Sequence, residues 1–464
     1  MEKKSKMAWE NYTQQDKDEL FAYSERYRQF ISNNKTEREC VISMIEEAKK
    51  HGYVDAEEYI KNSTPLKAGD KIYANYNDKT LIMFCIGKED MEKGMNLLGA
   101  HIDSPRLDLK PNPLYEDHNL AMLKTHYYGG VKKYQWVAMP LALHGVVVKK
   151  DGTVVNIEIG EDPQDPVLGI SDLLIHLAAE QMDKKLKDAI KGEDLNICLG
   201  TLPLDTEEKD KKEKVKANIL KLLNDKYGIC EEDFFSSELQ VVPAGMARDY
   251  GVDRSMIIGY GQDDRSCSYA SFEAQLEVTN PQKTTVCVLV DKEEIGSVGA
   301  SGMHSKFFEN TIAEILGLQD GYSDIKLRRT LAHSKMLSSD VTVGYDPNFP
   351  SAVEEKNTAY FGKGVVFMRY TGSRGKSGSN ESNAEYVAYL RNIMDDNNVI
   401  WQTGELGRID LGGGGTIAYI LAQYGMDVID CGVPVHSMHA PWEITSKVDL
   451  YEMRKAYVAF LKYA

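Results

Sequence analysis

The chain has 464 residues, 42% of them hydrophobic, and 55 basic against 71 acidic side chains give a net charge of −16. This length predicts two or more domains and the composition a large core, while the acidic balance argues against nucleic acid or an anionic membrane as the main partner. Seven scattered cysteines with no CxxC pair fit a reduced cytosolic protein, and cysteine is not the obvious ligand of any metal site.

Residues 1–10 are charged with no apolar run behind them, so no signal peptide is expected. No apolar stretch reaches the roughly 18 residues of a membrane span. Residues 15–50 read as helical, with a capping-box pattern at Thr36-Glu37-Arg38-Glu39 and a stop at Gly52. Residues 70–87 read as strands. Asn96-Leu97-Leu98-Gly99-Ala100 is an apolar strand that delivers His101 and Asp103 to its carboxyl end, with Pro105 as the stop.

The texture changes near Pro113. Residues 115–160 look β-rich, alternating from Trp136 to Ile159 with a turn at Asp151-Gly152. Ser171 is placed to cap a helix running to about Met182. Residues 205–216 form a solvated charge run that leads into an amphipathic segment from Val215 to about Asn224. Residues 116–240 are therefore expected to be a separate insert.

Strand–helix alternation resumes after Arg254. Ser255 to Gln262 reads as strand and turn, ending in Asp263-Asp264-Arg265 and a helix to about Leu276. The β-branched run 284–290 reads as a buried parallel strand ending in Asp291-Lys292-Glu293-Glu294, with a Gly-rich turn after it. A helix near 306–317, a strand entering Ser338-Ser339-Asp340, a strand at 364–370 and a helix from Ser382 to Met394 follow. Gly412-Gly413-Gly414-Gly415-Thr416 opens a further helix, 427–431 is a late strand with His436 and His439 beyond it, and the last helix spans Ser446 to Tyr463. This order implies an α/β protein with a mostly parallel sheet and a second domain.

His101/Asp103, Asp263/Asp264, Glu293/Glu294 and Asp340 thus fall at strand ends, with His436/His439 after a late strand. Imidazole and carboxylate without thiolate suit catalytic zinc, and also manganese or cobalt. Two such ions about 3.5–4 Å apart can share one carboxylate and one water. A free carboxylate beside them is suited to move a proton. Each residue has a plainer reading: His101 as a satisfied core histidine, Asp340 as a cap, the two late histidines as loop groups. Their convergence on one edge is what favours a site.

The segments Gly99-Ala100-His101-Ile102-Asp103-Ser104-Pro105, Asp263-Asp264-Arg265, Asp291-Lys292-Glu293-Glu294-Ile295-Gly296-Ser297, Ser339-Asp340 and Ser437-Met438-His439 are similar, in order, to those of the M18 family of metalloaminopeptidases, which includes aspartyl aminopeptidase. The resemblance implies a three-layer zinc-peptidase-like catalytic domain over 1–115 and 241–464, interrupted by a β-rich insert (116–240) for dimerisation or as a lid. It implies that His101 and Asp340 bind one zinc, Glu294 and His439 the other, and Asp263 bridges them. A hydroxide shared by the two ions would attack the peptide, with Glu293 as general base and acid. Asp103 would orient His101 or support Glu293. Asp264, where many relatives have Asn, would sit behind the ligands, and His436 carries no ligand role. Dimers would build a hollow homo-dodecamer taking peptide substrates, in the cytoplasm.

Some pocket segments depart from the family. Val137-Ala138-Met139 follows Trp136 where many relatives have Phe-Asp-Arg-Asp-Leu, Val341-Thr342-Val343 follows Asp340, and Asp346-Pro347-Asn348 replaces His-Pro-Asn. The family's preference for an acidic first residue is correspondingly weakened. Arg369, Arg374 and Lys376 are the candidates to pair with such a carboxylate; a solvated strand end and loop is the competing reading. Gly414, Gly415 and Thr416 are read as a backbone wall that lets a peptide approach closely, since the run lacks the ending of a phosphate loop. The rival functions are another dinuclear hydrolase (carboxypeptidase or deacylase) and a non-catalytic assembly or cargo-binding protein that keeps the fold.

Overall fold

The apolar runs of the sequence become the middle of a nine-stranded sheet. Its order is Val54–Asp55, Lys71–Tyr76, Thr80–Cys85, Thr285–Val290, Asn96–His101, Lys335–Ser338, Asp427–Gly432, Val365–Met368 and Trp401–Thr403. The four strands from Thr285–Val290 to Asp427–Gly432 run parallel. The antiparallel pairings fall on either side of them. Parallel strands carry their carboxyl ends to one edge, and that edge receives the residues after Val290, His101 and Ser338. The computed structural model describes residues 7–207, 212–319 and 321–464.

Both faces of the central strands are buried, which is why they read as unbroken apolar runs rather than alternating ones. Ile82, Phe84, Leu97, Val286 and Val288 pack with helices Phe307–Leu318 and Asp324–Ala332. Leu81, Met83, Leu98, Cys287 and Leu289 pack with Gln14–Asn33, Glu37–Lys50, Gln262–Glu277 and Lys447–Tyr463. The predicted capping box forms: Thr36 Oγ1 accepts the Glu39 amide at 3.2 Å and the Glu39 carboxylate accepts the Thr36 amide at 2.9 Å. No helix among the described residues is long and apolar enough to cross a membrane.

Several elements differ from the sequence reading. Met256–Gly259 is a strand, but it joins a separate five-stranded sheet with Arg248–Tyr250, Glu443–Ser446, Pro434–His436 and Thr342–Val343. Those partners are two to four residues long, too short to carry a period. The helix expected from Ser171 to Met182 reduces to a 3-10 turn, Ile175–Leu177, and a single turn, Ala179–Met182. Its apolar side chains Leu173, Leu174, Ile175, Leu177 and Met182 are exposed, so no buried face holds a longer helix together. Trp136 lies in a 3-10 turn, and the strand begins at Leu141. Helix Asp324–Ala332 was not foreseen. Part of the charge run, 208–211, lies outside the described residues.

The described residues form two compact units: Ala247–Met438 and Glu443–Ala464 with the chain up to Asp103, and Ser104–Met246 with His439–Trp442. The second unit holds an antiparallel sheet ordered Val154–Ile159, Leu141–Val148, Ser237–Pro243, Arg106–Asp117, Leu120–Tyr128, Ile197–Gly200. Trp136, Leu141, Val147, Val241 and Ile197 are among its fully buried side chains. Five thiols, those of Cys40, Cys85, Cys267, Cys287 and Cys431, are buried in the first unit, whereas Cys198 is half-buried and Cys230 exposed in the second.

The last helix carries a buried carboxylate with a structural role. Asp449 accepts the Gly362 and Gly364 amides, each at 2.7 Å, and so ties that loop to the helix. Burial outweighs these two donors and pushes its carboxyl up to about 7. An unfolded Asp titrates near 4, so the folded chain holds this proton more tightly and stability falls as pH rises from about 4 to about 7. Urea unfolding of Asp449→Asn at constant metal load should therefore show a smaller loss across that window than wild type; an equal loss would remove Asp449 as its source.

Candidate metal centre

Three neighbouring parallel strands deliver the site. Asn96–His101 ends on His101, Thr285–Val290 runs into Asp291 and the Glu293–Ile295 turn, and Lys335–Ser338 is followed by Ser339 and Asp340. The turn after Val290 is tight: Lys292 and Ser297 take positive φ, and Gly296 at φ 94° ends it where a β-carbon would be strained. Asp263 comes from the short Met256–Gly259 strand, at the start of helix Gln262–Glu277, where Asp263 and Asp264 are not yet helical.

His101 is the hub. Its Nε2 lies 3.2 Å from Asp263 Oδ1 and 3.8 Å from Glu293 Oε2. Its Nδ1 lies 3.0 Å from the Asp103 carbonyl and 3.3 Å from Asp103 Oδ1. The Nδ1–H therefore donates to Asp103 and Nε2 faces Asp263 and Glu293; Nε2 is the nitrogen that a metal would take in place of a proton. Asp103, fully buried, also accepts the Glu293 amide at 3.1 Å and the Glu294 amide at 3.2 Å. Asp103 thus touches both the imidazole and the backbone of the glutamate turn.

Ligand atoms of His101, Asp263 and Asp340 all lie within 4.8 Å of one another, as do those of His101, Glu293 and Glu294. Burial would push the His101 imidazole down, but the Asp103 and Asp263 carboxylates bonded to it, and the Glu293 charge, hold it well above its usual range. Burial, then the Asp264 charge, drive Asp340 well above the carboxylate range. Asp264 is driven up by burial and by Asp263. So many carboxylates in a dry edge keep protons unless a cation neutralises them, and a divalent ion reverses that balance. The donor set of one imidazole and several carboxylates therefore fits zinc.

The other expected residues are placed as follows. His439 lies in the second unit, where its Nδ1 is 3.0 Å from the Gly130 carbonyl and donates to it. Asp264 is fully buried and accepts the His101 amide at 3.4 Å. His436 stacks on Phe361 with centroids 4.2 Å apart and bonds the Tyr345 carbonyl at 2.9 Å, a structural part. Arg369 and Lys376 both face Glu381, at 3.6 Å and 3.0 Å, and Lys376 covers the Tyr370 ring. Arg374 sits at φ 51° in the loop between them. Thr416 turns its hydroxyl inward to Asp430, and Gly414 and Gly415 follow one another in the segment before it.

Sequence reasoning missed the supports. Ser268 donates to the His101 carbonyl at 2.6 Å, Arg265 Nε donates to the Ile102 carbonyl at 3.2 Å, and Glu443 accepts the Asp263 amide at 3.1 Å. Arg265 stood in a quoted segment without a role. Ser268 and Glu443 had no signal, since each acts on a residue more than 160 positions away.

A family model described as Aminopeptidase I zinc metalloprotease (M18) matches residues 30–461. A relative from Clostridium acetobutylicum, a probable M18 family aminopeptidase 1, is 61% identical over 459 residues, 99% of this chain and 98% of its own. The crystal structure of an M18-family aminopeptidase from Thermotoga maritima matches with a TM-score of 0.93 at 43% identity, covering 99% of both chains. That of aminopeptidase I from Clostridium acetobutylicum matches with a TM-score of 0.91 at 57% identity, covering 98% of both.

Asp103→Asn keeps the size of the side chain but puts an amide nitrogen where one acceptor stood. Zinc affinity, measured by competition with a chelator, should fall by about 10–100-fold; an unchanged affinity would count against Asp103 as the support of His101.

Proposed function

The chain belongs to the M18 family of zinc aminopeptidases, and from that premise we propose that it removes amino-terminal residues from peptides at a dinuclear zinc site. The observation that carries this reading is the His101 hub: Asp103 behind the imidazole, Asp263 and Glu293 in front of it. His101 and Asp340 are proposed to hold one ion and Glu294 and His439 the other, with Asp263 between them. The resemblance assigns His439, and the orientation of its Nδ1 toward Gly130 is compatible with that role. Bound zinc supplies Lewis-acid polarisation of a carbonyl and makes a water acidic enough to attack it.

The remaining work falls to the chain's own groups. Glu293 accepts the proton of the attacking water on a carboxylate oxygen, then delivers it to the leaving amide nitrogen as the C–N bond breaks. Asp103 keeps Glu293 aimed by bonding its amide, while Asp264 holds the His101 backbone. The peptide's free amine would meet the acidic edge, and Gly414, Gly415 and Thr416 would give its backbone a close wall. Arg369, Arg374 and Lys376 remain the candidates for an acidic first residue; the pairing of two of them with Glu381 reduces the charge they offer.

We also propose a three-layer catalytic domain (1–115 and 241–464), with the β-rich insert (116–240) as the dimerisation or lid element of a cytoplasmic homo-oligomer. A dodecamer built from dimers follows from the family resemblance. Its mass in solution would be twelve times the 52.1 kDa of the chain.

Glu293→Gln should keep its zinc and lose turnover of amino-acid anilides by about 10²–10⁴-fold. Near-normal turnover would remove Glu293 from the proton path. N-blocked analogues should resist cleavage by the wild-type protein; their ready hydrolysis would indicate a deacylase or carboxypeptidase instead.

A further inference from the structure

Asp430 stands on the same sheet edge as the metal centre and has no part in the chemistry above. It lies on Asp427–Gly432, the strand next to the one that delivers Asp340, and pairs with Ser338, two residues before that aspartate. Its side chain is buried, and Oδ1 accepts the Thr416 hydroxyl at 2.6 Å. Burial pushes its carboxyl up to about 6, against the pull of the Thr416 hydroxyl bonded to it.

The glycine run hangs on this carboxylate, and a second turn is bonded to the glycine run. Thr416 ends the glycine run and its oxygen accepts the Ala418 amide at 3.2 Å, starting helix Ala418–Ala422. The neighbouring Ile417 packs into the apolar core over the strand that carries His101, its Cδ1 against Gly99. The Gly372 amide donates to the Gly414 carbonyl at 2.7 Å. Gly413, at φ 124°, lies so close to the Gly372 carbonyl that a β-carbon would stand 2.3 Å from its oxygen. The glycine segment thus lies flat on the 371–373 turn, and Thr416 ties it to one buried carboxylate on the strand beside the one that leads to Asp340. A chain of glycines has no side chains to fix it, so an external anchor decides how well it is ordered.

We propose that Asp430 is a positioning residue for substrate. Through Thr416 it fixes the 412–416 segment, and through the Gly372–Gly414 bond the 371–373 turn, as one rigid rim, against which the extended backbone of a peptide is seated beside the metal centre. This rests on the aminopeptidase reading and on the glycine segment as its wall. The Asp430–Thr416 bond is partly buried, and a hydrogen bond to a carboxylate is worth about tenfold or more in an equilibrium.

The test uses Asp430→Asn and Thr416→Val in the zinc-loaded, full-length protein. Each should raise KM for a free-amine peptide about tenfold, with kcat within about threefold and zinc content unchanged. The double variant should add little, because both changes break one bond. Thr416→Ser, which keeps the hydroxyl, should restore KM. Hydrogen exchange should quicken in both segments of the single variants and stay unchanged in helix Gln262–Glu277. Unchanged KM and exchange, fully additive effects, or losses of zinc and kcat that track KM would overturn the proposal. If the wild type cleaves no free-amine peptide, the aminopeptidase reading fails, while the exchange measurement, which needs no turnover, still decides whether Asp430 orders the rim.

Discussion

The carboxylate of Asp103 is the constraint on which the edge depends. It is fully buried, and an ionised carboxylate in such a place costs several kcal/mol unless each oxygen is well bonded. Here it meets an imidazole and two backbone amides, so the strand end carrying His101 and the turn carrying Glu293 and Glu294 share one anchor. Without it, the glutamate turn would depend on its own internal bonds, Gly296 to Glu293 and Ser297 to Lys292.

Helix Gln262–Glu277 completes the frame from the other side. Nearly all of it is buried, and its small polar residues allow a close approach to the sheet. Asp264 accepts the His101 amide, Ser268 donates to the His101 carbonyl, and Arg265 donates to the Ile102 carbonyl. The two peptide groups around His101 are thereby used up, and the imidazole has little freedom left. Preorganisation of this kind lets a metal site form without a large ordering cost on binding.

The central strands were legible because burial on both faces writes itself as an unbroken apolar run, and parallel strands must end on a shared edge. His101, Glu293, Glu294 and Asp340 were found on that logic. The five-stranded sheet was not legible, since its strands are two to four residues long and draw partners from across the chain. The stretch from Ser171 to Met182 misled because a capping serine alone suggested a helix, yet the apolar side chains that follow it are exposed. The bond from the Thr416 hydroxyl to Asp430 was not legible, since Asp430 lies on a strand that the pattern alone marked as core.

The distribution of the thiols has a practical meaning. Burial raises the Cys40 thiol to about 12 and lifts Cys267, Cys287 and Cys431 as well, so little thiolate forms and reagents are kept away. Alkylation of these groups must wait for the first unit to open, whereas Cys230 in the second unit reacts from the surface. The chain thus carries its own opening clock: the slow phase of labelling times the breathing of the first unit, with a fast internal standard elsewhere in the same chain.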